Sequence, residues 1–153
     1  MLILIGGCSR SGKSSWAQKL VWQHRIENKT AVVLCQDDFV KHIDEIPKIR
    51  DRTDWETPYS IDYERFITII NVYQTCFDVV IVEGHLVFAN EQLTHIADER
   101  FFIDISEATF RQRRAAETRW GAEPAWFIDH VWESFLAFGQ PPADQDITYI
   151  SGQ

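Results

Sequence analysis

The segment Gly7-Cys8-Ser9-Arg10-Ser11-Gly12-Lys13-Ser14 constrains this chain more than any other stretch. It satisfies every fixed position of the pattern G-x-x-x-x-G-K-[S/T], in which a glycine-rich turn wraps backbone N–H groups around phosphate. The apolar run Met1-Leu2-Ile3-Leu4-Ile5 before it reads as a buried strand. The stretch from Ser14 to Val21 after it reads as a helix. Strand, turn and helix N-terminus together present N–H groups whose partial positive charge suits a polyphosphate. Lys13 adds a cation for the β- and γ-phosphates, and the Ser14 hydroxyl is a ligand for Mg²⁺. Gly7, Ser9, Ser11, Gly12 and Ser15 complete the expected nucleotide contacts. A chance Gly-Ser turn is the competing reading, and the flanking strand and helix weigh against it. The loop implies nucleotide binding without saying what becomes of the nucleotide.

Strands and helices are expected to alternate along the rest of the chain. Strands are predicted at Leu2–Gly6, Thr30–Cys35, Val79–Val82, Phe101–Ile105 and Ile147–Ile150. Helices are predicted from Lys13 to about His24, Asp62 to about Thr75, Gln92–Asp98, Glu107 to about Thr118, and Ala125–Phe138. The last should bury Ile128, Val131, Trp132, Phe135 and Leu136 by helical spacing. The polar stretch Lys41–Pro58 reads as a loop with one helical turn. Continuous apolar strands between amphipathic helices predict an α/β chain with a parallel sheet covered on both faces. The length, 153 residues, and the absence of any long linker point to one domain spanning 1–153.

A formal net charge of −8 argues against a general nucleic-acid binder. Cys8, Cys35 and Cys76 form no C-x-x-C pair, so neither a disulfide framework nor a zinc site is expected. The apolar run at the start is too short to span a bilayer, and neither signal peptide nor transmembrane helix is predicted. Together these suggest a reducing, cytoplasmic setting with no membrane partner; the oligomeric state is left open.

In parallel α/β sheets, ligands sit beyond the C-terminal ends of the strands. Gln36-Asp37-Asp38-Phe39 follows the second strand, so Asp37 is placed in the same crevice as the phosphate loop. Phosphoryl transfer to an alcohol needs a carboxylate that orients the hydroxyl and takes its proton, and Asp37 is the first choice. Both acids could instead cap the next segment. Glu83 ends the Val79–Val82 run and is the candidate second metal ligand beside Ser14. Arg111, Arg113, Arg114 and Arg119 form a basic cluster suited to clamping phosphate. Asp54-Trp55-Glu56 pairs an aromatic with acids. It fits a ribosyl ligand, with Trp55 stacking on a base, or equally a loop anchored by a packed Trp.

In order and spacing, G-C-S-R-S-G-K-S, Q-D-D-F, D-W-E-T-P-Y-S-I-D, I-V-E-G-H-L-V-F, R-Q-R-R-A-A-E-T-R-W and H-V-W resemble the nicotinamide riboside kinase and uridine kinase family, nicotinamide riboside kinase more closely. The resemblance implies a three-layer P-loop fold like the nucleoside monophosphate kinases, with a five-stranded parallel sheet and a lid over about 111–125. It implies ATP and Mg²⁺ as cofactors, Lys13 and Ser14 in the ATP·Mg²⁺ loop, Asp37 as catalytic base and Glu83 at the metal. Trp55 takes the base-stacking position. Glu56 takes the ribose position, where the family usually has Asp. The lid match puts Arg114 at the transferring phosphate, Arg111 at the nucleotide and Arg119 at the substrate. The implied reaction is transfer of phosphate to the 5′-hydroxyl of a ribonucleoside. Nicotinamide riboside leads, and uridine, cytidine or another small alcohol is the alternative. A nucleotide-binding regulatory module without catalysis is the rival of another class.

Overall fold

The computed structural model describes residues 1–118 and 121–152. Its core is a five-stranded parallel sheet in the order β2-β5-β1-β6-β7. The strands are β1 (Leu2–Gly6), β2 (Ala31–Cys35), β5 (Val79–Glu83), β6 (Glu99–Asp104) and β7 (Thr148–Ser151). β1 is central and wholly buried, and it pairs with β5 in the register Leu4↔Val82 and with β6 in the register Leu4↔Arg100. A central strand has no face toward water, which is why it reads as an unbroken apolar run.

Alternation along the strands sorts the core into two layers. Ile3, Ile5, Val79 and Ile81 pack with Ala17, Leu20 and Val21 of α1 (Lys13–Ile26). Leu2, Leu4, Val80 and Val82 face the other way. There they meet α2 (Tyr63–Cys76) through Phe66 and Ile70, α3 (Glu91–Ile96) through Leu93, α4 (Glu107–Ala115) through Phe110, and α5 (Ala125–Phe138) through Val131 and Phe135. Helices therefore cover both faces, as expected. Among the described residues, no helix is long and apolar enough to cross a membrane.

Three local expectations are revised. The Lys41–Pro58 stretch contains the expected turn at Ile43–Glu45, but also a small antiparallel hairpin of β3 (Lys48–Ile49) and β4 (Arg52–Thr53). Two-residue arms carry no readable periodicity, and the reversal is made by Arg50 at φ 54°. α4 stops at Ala115, short of the predicted Thr118. α5 packs Val131 and Phe135, with the half-buried Ile128 and Trp132, on the core as predicted, but Leu136 is 51% exposed and Phe127 is buried. Phe127, at the start of the helix, also lines the cleft between the sheet ends and α5.

Candidate active site

The loop between β1 and α1 is held open for an anion by its backbone. Gly12 caps α1 at φ +102°, and Gly7 adopts φ +144°, a region that L side chains rarely enter. α2, α3 and α4 begin with side-chain caps from Asp62, Asn90 and Ser106. α1 has neither a side-chain cap nor an acid in its first turn, so its first N–H groups are left for a ligand. Lys13 Nζ donates to the Cys8 carbonyl at 2.8 Å. Burial pushes the Lys13 ammonium below its ordinary pKa, and Glu83 is the strongest opposing influence. Ser14 Oγ donates to Glu83 Oε1 at 2.8 Å. Ser11 is buried and its Oγ has no partner among the described residues.

The acidic side of the site comes from the ends of β2 and β5. Asp37 lies in a 3₁₀ turn (Gln36–Phe39) immediately after β2. Desolvation by the cleft walls raises its pKa and Lys13 opposes the shift, but the side chain is 73% accessible, so water blunts the desolvation. Gly84 follows Glu83, and a Cβ there would collide with the buried Gln36 side chain. The same Gln36 accepts the Leu86 N–H at 3.0 Å, which fixes the turn leaving β5.

Glu56 is only 8% exposed although it belongs to a polar segment. Burial drives its carboxyl above the usual range, with His85 and then Arg114 opposing. His85 Nε2 stands 3.3 Å from Glu56 Oε2, and Nδ1 stands 4.0 Å from Asp37 Oδ1. Burial pushes the His85 imidazole below its ordinary pKa. Asp54 fastens this segment to α5: its Oδ1 lies 2.8 Å from His130 Nε2 and accepts the Glu56 N–H at 3.1 Å. Trp55 is 38% exposed and faces the cleft.

The arginines separate by position. Arg114 forms a two-pronged pair with Glu123 at 2.6 and 2.8 Å and donates to Ser9 Oγ at 2.8 Å. Arg113 donates to the Arg10 carbonyl at 3.0 Å and the Gly152 carbonyl at 2.8 Å. Arg111, expected at the nucleotide, is instead held by Glu107 at 2.7 Å and Asp129 at 2.6 Å and does not line the cleft. Three residues round the helix from Arg114, it faces α5. Arg10 pairs with Glu117. Arg119 lies outside the described residues.

These pieces surround one cleft of ≈ 1160 Å³. Ser9, Gly12, Lys13, Ser14 and Ser15 form one wall, while Gly7 and Ser11 lie behind it. Asp37, Trp55, Glu56, Glu83, His85, Arg113 and Arg114 are among the residues that line the rest of it. A smaller depression of ≈ 440 Å³, bounded by Asp104, Ser106 and Tyr149, shares no lining residue with it and offers no cation.

No family model matches the chain. Human nicotinamide riboside kinase 1 is 24% identical to it, over 99% of this chain and 83% of that protein. Nicotinamide riboside kinase of Eremothecium gossypii is 26% identical, over 90% of this chain and 75% of that protein. The structure of a possible uridine kinase from Bacillus stearothermophilus superposes with a TM-score of 0.64 at 15% identity, covering 98% of this chain and 88% of that one. The chain has the fold of a P-loop kinase. Its sequence resembles the nicotinamide riboside kinase and uridine kinase family.

Glu123 and the anchoring of Asp54 by His130 carry no sequence signal of a site role. His85, which directly follows the Glu83-Gly84 pair and so stands within reach of a substrate by sequence, lines the cleft. Glu123 and His130 are remote in sequence from the residues they hold, and only the packing of α5 brings them in.

Proposed function

We propose that this chain is an ATP- and Mg²⁺-dependent kinase that phosphorylates the 5′-hydroxyl of a ribonucleoside. Nicotinamide riboside is the leading acceptor and nicotinamide mononucleotide the product, as in NAD salvage. The observation that carries this reading is the presence of Asp37 and Glu56 in one cleft with Lys13 and Ser14. A nucleotide switch has no use for two carboxylates on the acceptor side of its phosphate loop.

In this reading Asp37 accepts the proton of the 5′-hydroxyl as its oxygen forms a bond to the γ-phosphorus. The bond from that phosphorus to the β-bridging oxygen breaks, and ADP leaves with the electron pair. Lys13 and Arg114 neutralise charge that grows on the phosphoryl oxygens. Arg113 joins the phosphate side as a proposal, in the role expected of Arg111. Ser14 and Glu83 suit Mg²⁺: two oxygen donors already 2.8 Å apart, with the remaining positions left to phosphate and water. When bound, Mg²⁺ supplies charge neutralisation between the phosphates. Trp55 offers an indole face to the base. A cationic nicotinamide ring gains about 0.5–2 kcal/mol there from cation–π attraction, which uracil does not.

A product-coupled screen of nucleosides with ATP tests the reading, with nicotinamide riboside and uridine side by side. Asp37→Asn should lower kcat by about 10²-fold or more while leaving ATP affinity nearly unchanged. Turnover of uridine but not nicotinamide riboside would move the acceptor to the uridine kinase side. Full activity of Asp37→Asn would remove it as base.

A further inference from the structure

Two arginines of α4 pair with acids in very different surroundings. Arg111 is held by Glu107 and Asp129 outside the cleft, where both acids are half exposed and water screens the pairs. Arg114 meets Glu123 inside the cleft, where the two side chains are only 14% and 11% exposed. Glu123 therefore puts a poorly screened acid in a wall that has to receive a polyphosphate, and that acid repels the nucleotide. A buried ion pair also contributes little net stability, because desolvating two charges offsets much of their attraction. Neither nucleotide affinity nor stability accounts for Glu123. The geometry of the pair does.

A guanidinium carries five N–H donors in one plane. Glu123 takes two of them, Oε2 from Nε at 2.6 Å and Oε1 from Nη2 at 2.8 Å. Ser9 Oγ, on the phosphate loop, takes a third from Nη1 at 2.8 Å. One donor on each Nη is left without a partner among the described residues. Two such donors suit two oxygens of one phosphoryl group. A two-pronged grip fixes the plane of the guanidinium as well as its position, which the single contact to Ser9 does not. Both ends of the grip are anchored. Arg114 lies one residue from the end of α4. Glu123 stands immediately before Pro124, the cap of α5, and α5 has no acid in its own first turn. The positive end of α5 favours a carboxylate at that position. Glu123 thus ties the last turn of α4 to the first turn of α5.

We propose that Glu123 is a positioning residue for phosphoryl transfer. It orients Arg114 so that the two spare N–H donors face the transferring group, and it weakens nucleotide binding in doing so. The inference rests on the kinase reading above. A guanidinium held in place beforehand needs no reorientation as charge grows on the phosphoryl oxygens, which is when such donors contribute most.

The test is steady-state kinetics of the purified full chain with ATP and Mg²⁺ on nicotinamide riboside and uridine, with thermal melts of every variant. Glu123→Gln keeps the shape and one acceptor oxygen but removes the charge and half of the grip. It should lower kcat about tenfold, while KM for ATP stays within about twofold or falls, since an acid has left the nucleotide's wall. Glu123→Ala should lower kcat further, toward but not beyond the loss in Arg114→Ala. In an Arg114→Ala background, Glu123→Gln should change the residual kcat by less than about twofold, the mark of two residues acting as one unit. A side chain that only stabilised the fold would lower Tm and leave these ratios alone. If Glu123→Ala does not fold, Glu123→Gln carries the comparison. Unchanged kcat in the folded Glu123 variants would overturn the assignment while leaving the kinase reading intact. So would losses that add in the double variant, or a higher KM for ATP at constant kcat. Absence of turnover by the wild type on every ribonucleoside would overturn both together.

Discussion

Glu56 faces opposing demands from the fold and from the ligand. Burial raises its carboxyl pKa above the ordinary value, and His85 and Arg114 only partly offset that. Below about pH 4.3 the folded and unfolded chains both hold the proton. Between there and the raised folded value, the folded chain keeps a proton that the unfolded chain has lost, so stability falls as pH rises. Glu56→Gln removes this penalty. Its Tm should exceed that of the wild type at about pH 8 and converge with it near about pH 4, as read by thermal melts across that range. The same variant should bind the acceptor less well, the usual exchange of stability for function at a site. A Tm difference independent of pH would show that the ionised carboxylate is not the source. Cys8 and Cys35 follow the same desolvation rule, burial pushing their thiols up to about 11 and about 12, so neither is a thiolate at neutral pH.

At the scale of elements, α4 shows how far periodicity carries. Arg111 and Arg114 share a helix face by spacing, and the sequence offers no reason to prefer one. Packing against α5 decides: Arg111 goes to Asp129, while Arg114 goes to Ser9 on the phosphate loop and to Glu123. Arg114→Ala should lower kcat by about 10²-fold or more, the scale of losing a preorganised charge at the transition state. Arg111→Ala loses an exposed, solvent-screened pair and should leave both stability and kcat close to the wild type. Steady-state rates and melts on both variants check this, and equal loss of kcat would return Arg111 to the nucleotide. The long elements were legible because each has a buried stripe or an apolar run: β1 and α5 keep their predicted bounds. The β3–β4 hairpin was not. It is docked by Arg50 over Trp126 at 4.2 Å, Arg52 over Phe127 at 5.2 Å, and Asp54 on His130, all contacts with residues far along the chain.

Across the whole molecule the candidate site is a product of sheet order. β1 lies between β5 and β6, so the loop after β1 meets the ends of β2 and β5 at one crevice. A ligand that binds the folded chain in this crevice and not the unfolded one should stabilise the fold. At an ATP·Mg²⁺ concentration of 100 times its Kd the gain is about 2.7 kcal/mol. That is a Tm rise of about 5–10 °C for a chain of this length. Differential scanning fluorimetry should show the rise in the wild type and lose most of it in Lys13→Ala. An equal rise in both would place nucleotide binding outside the loop. The sequence alone determined the phosphate loop, the alternation of strand and helix, and the acids at the strand ends, because each is written in neighbouring residues through local backbone preference or periodic burial. Only the tertiary structure decided which arginine reaches the loop, that Glu56 is buried against His85, and that Asp54 is anchored by α5. Those depend on contacts between residues 29 to 105 positions apart, where no local pattern carries the information.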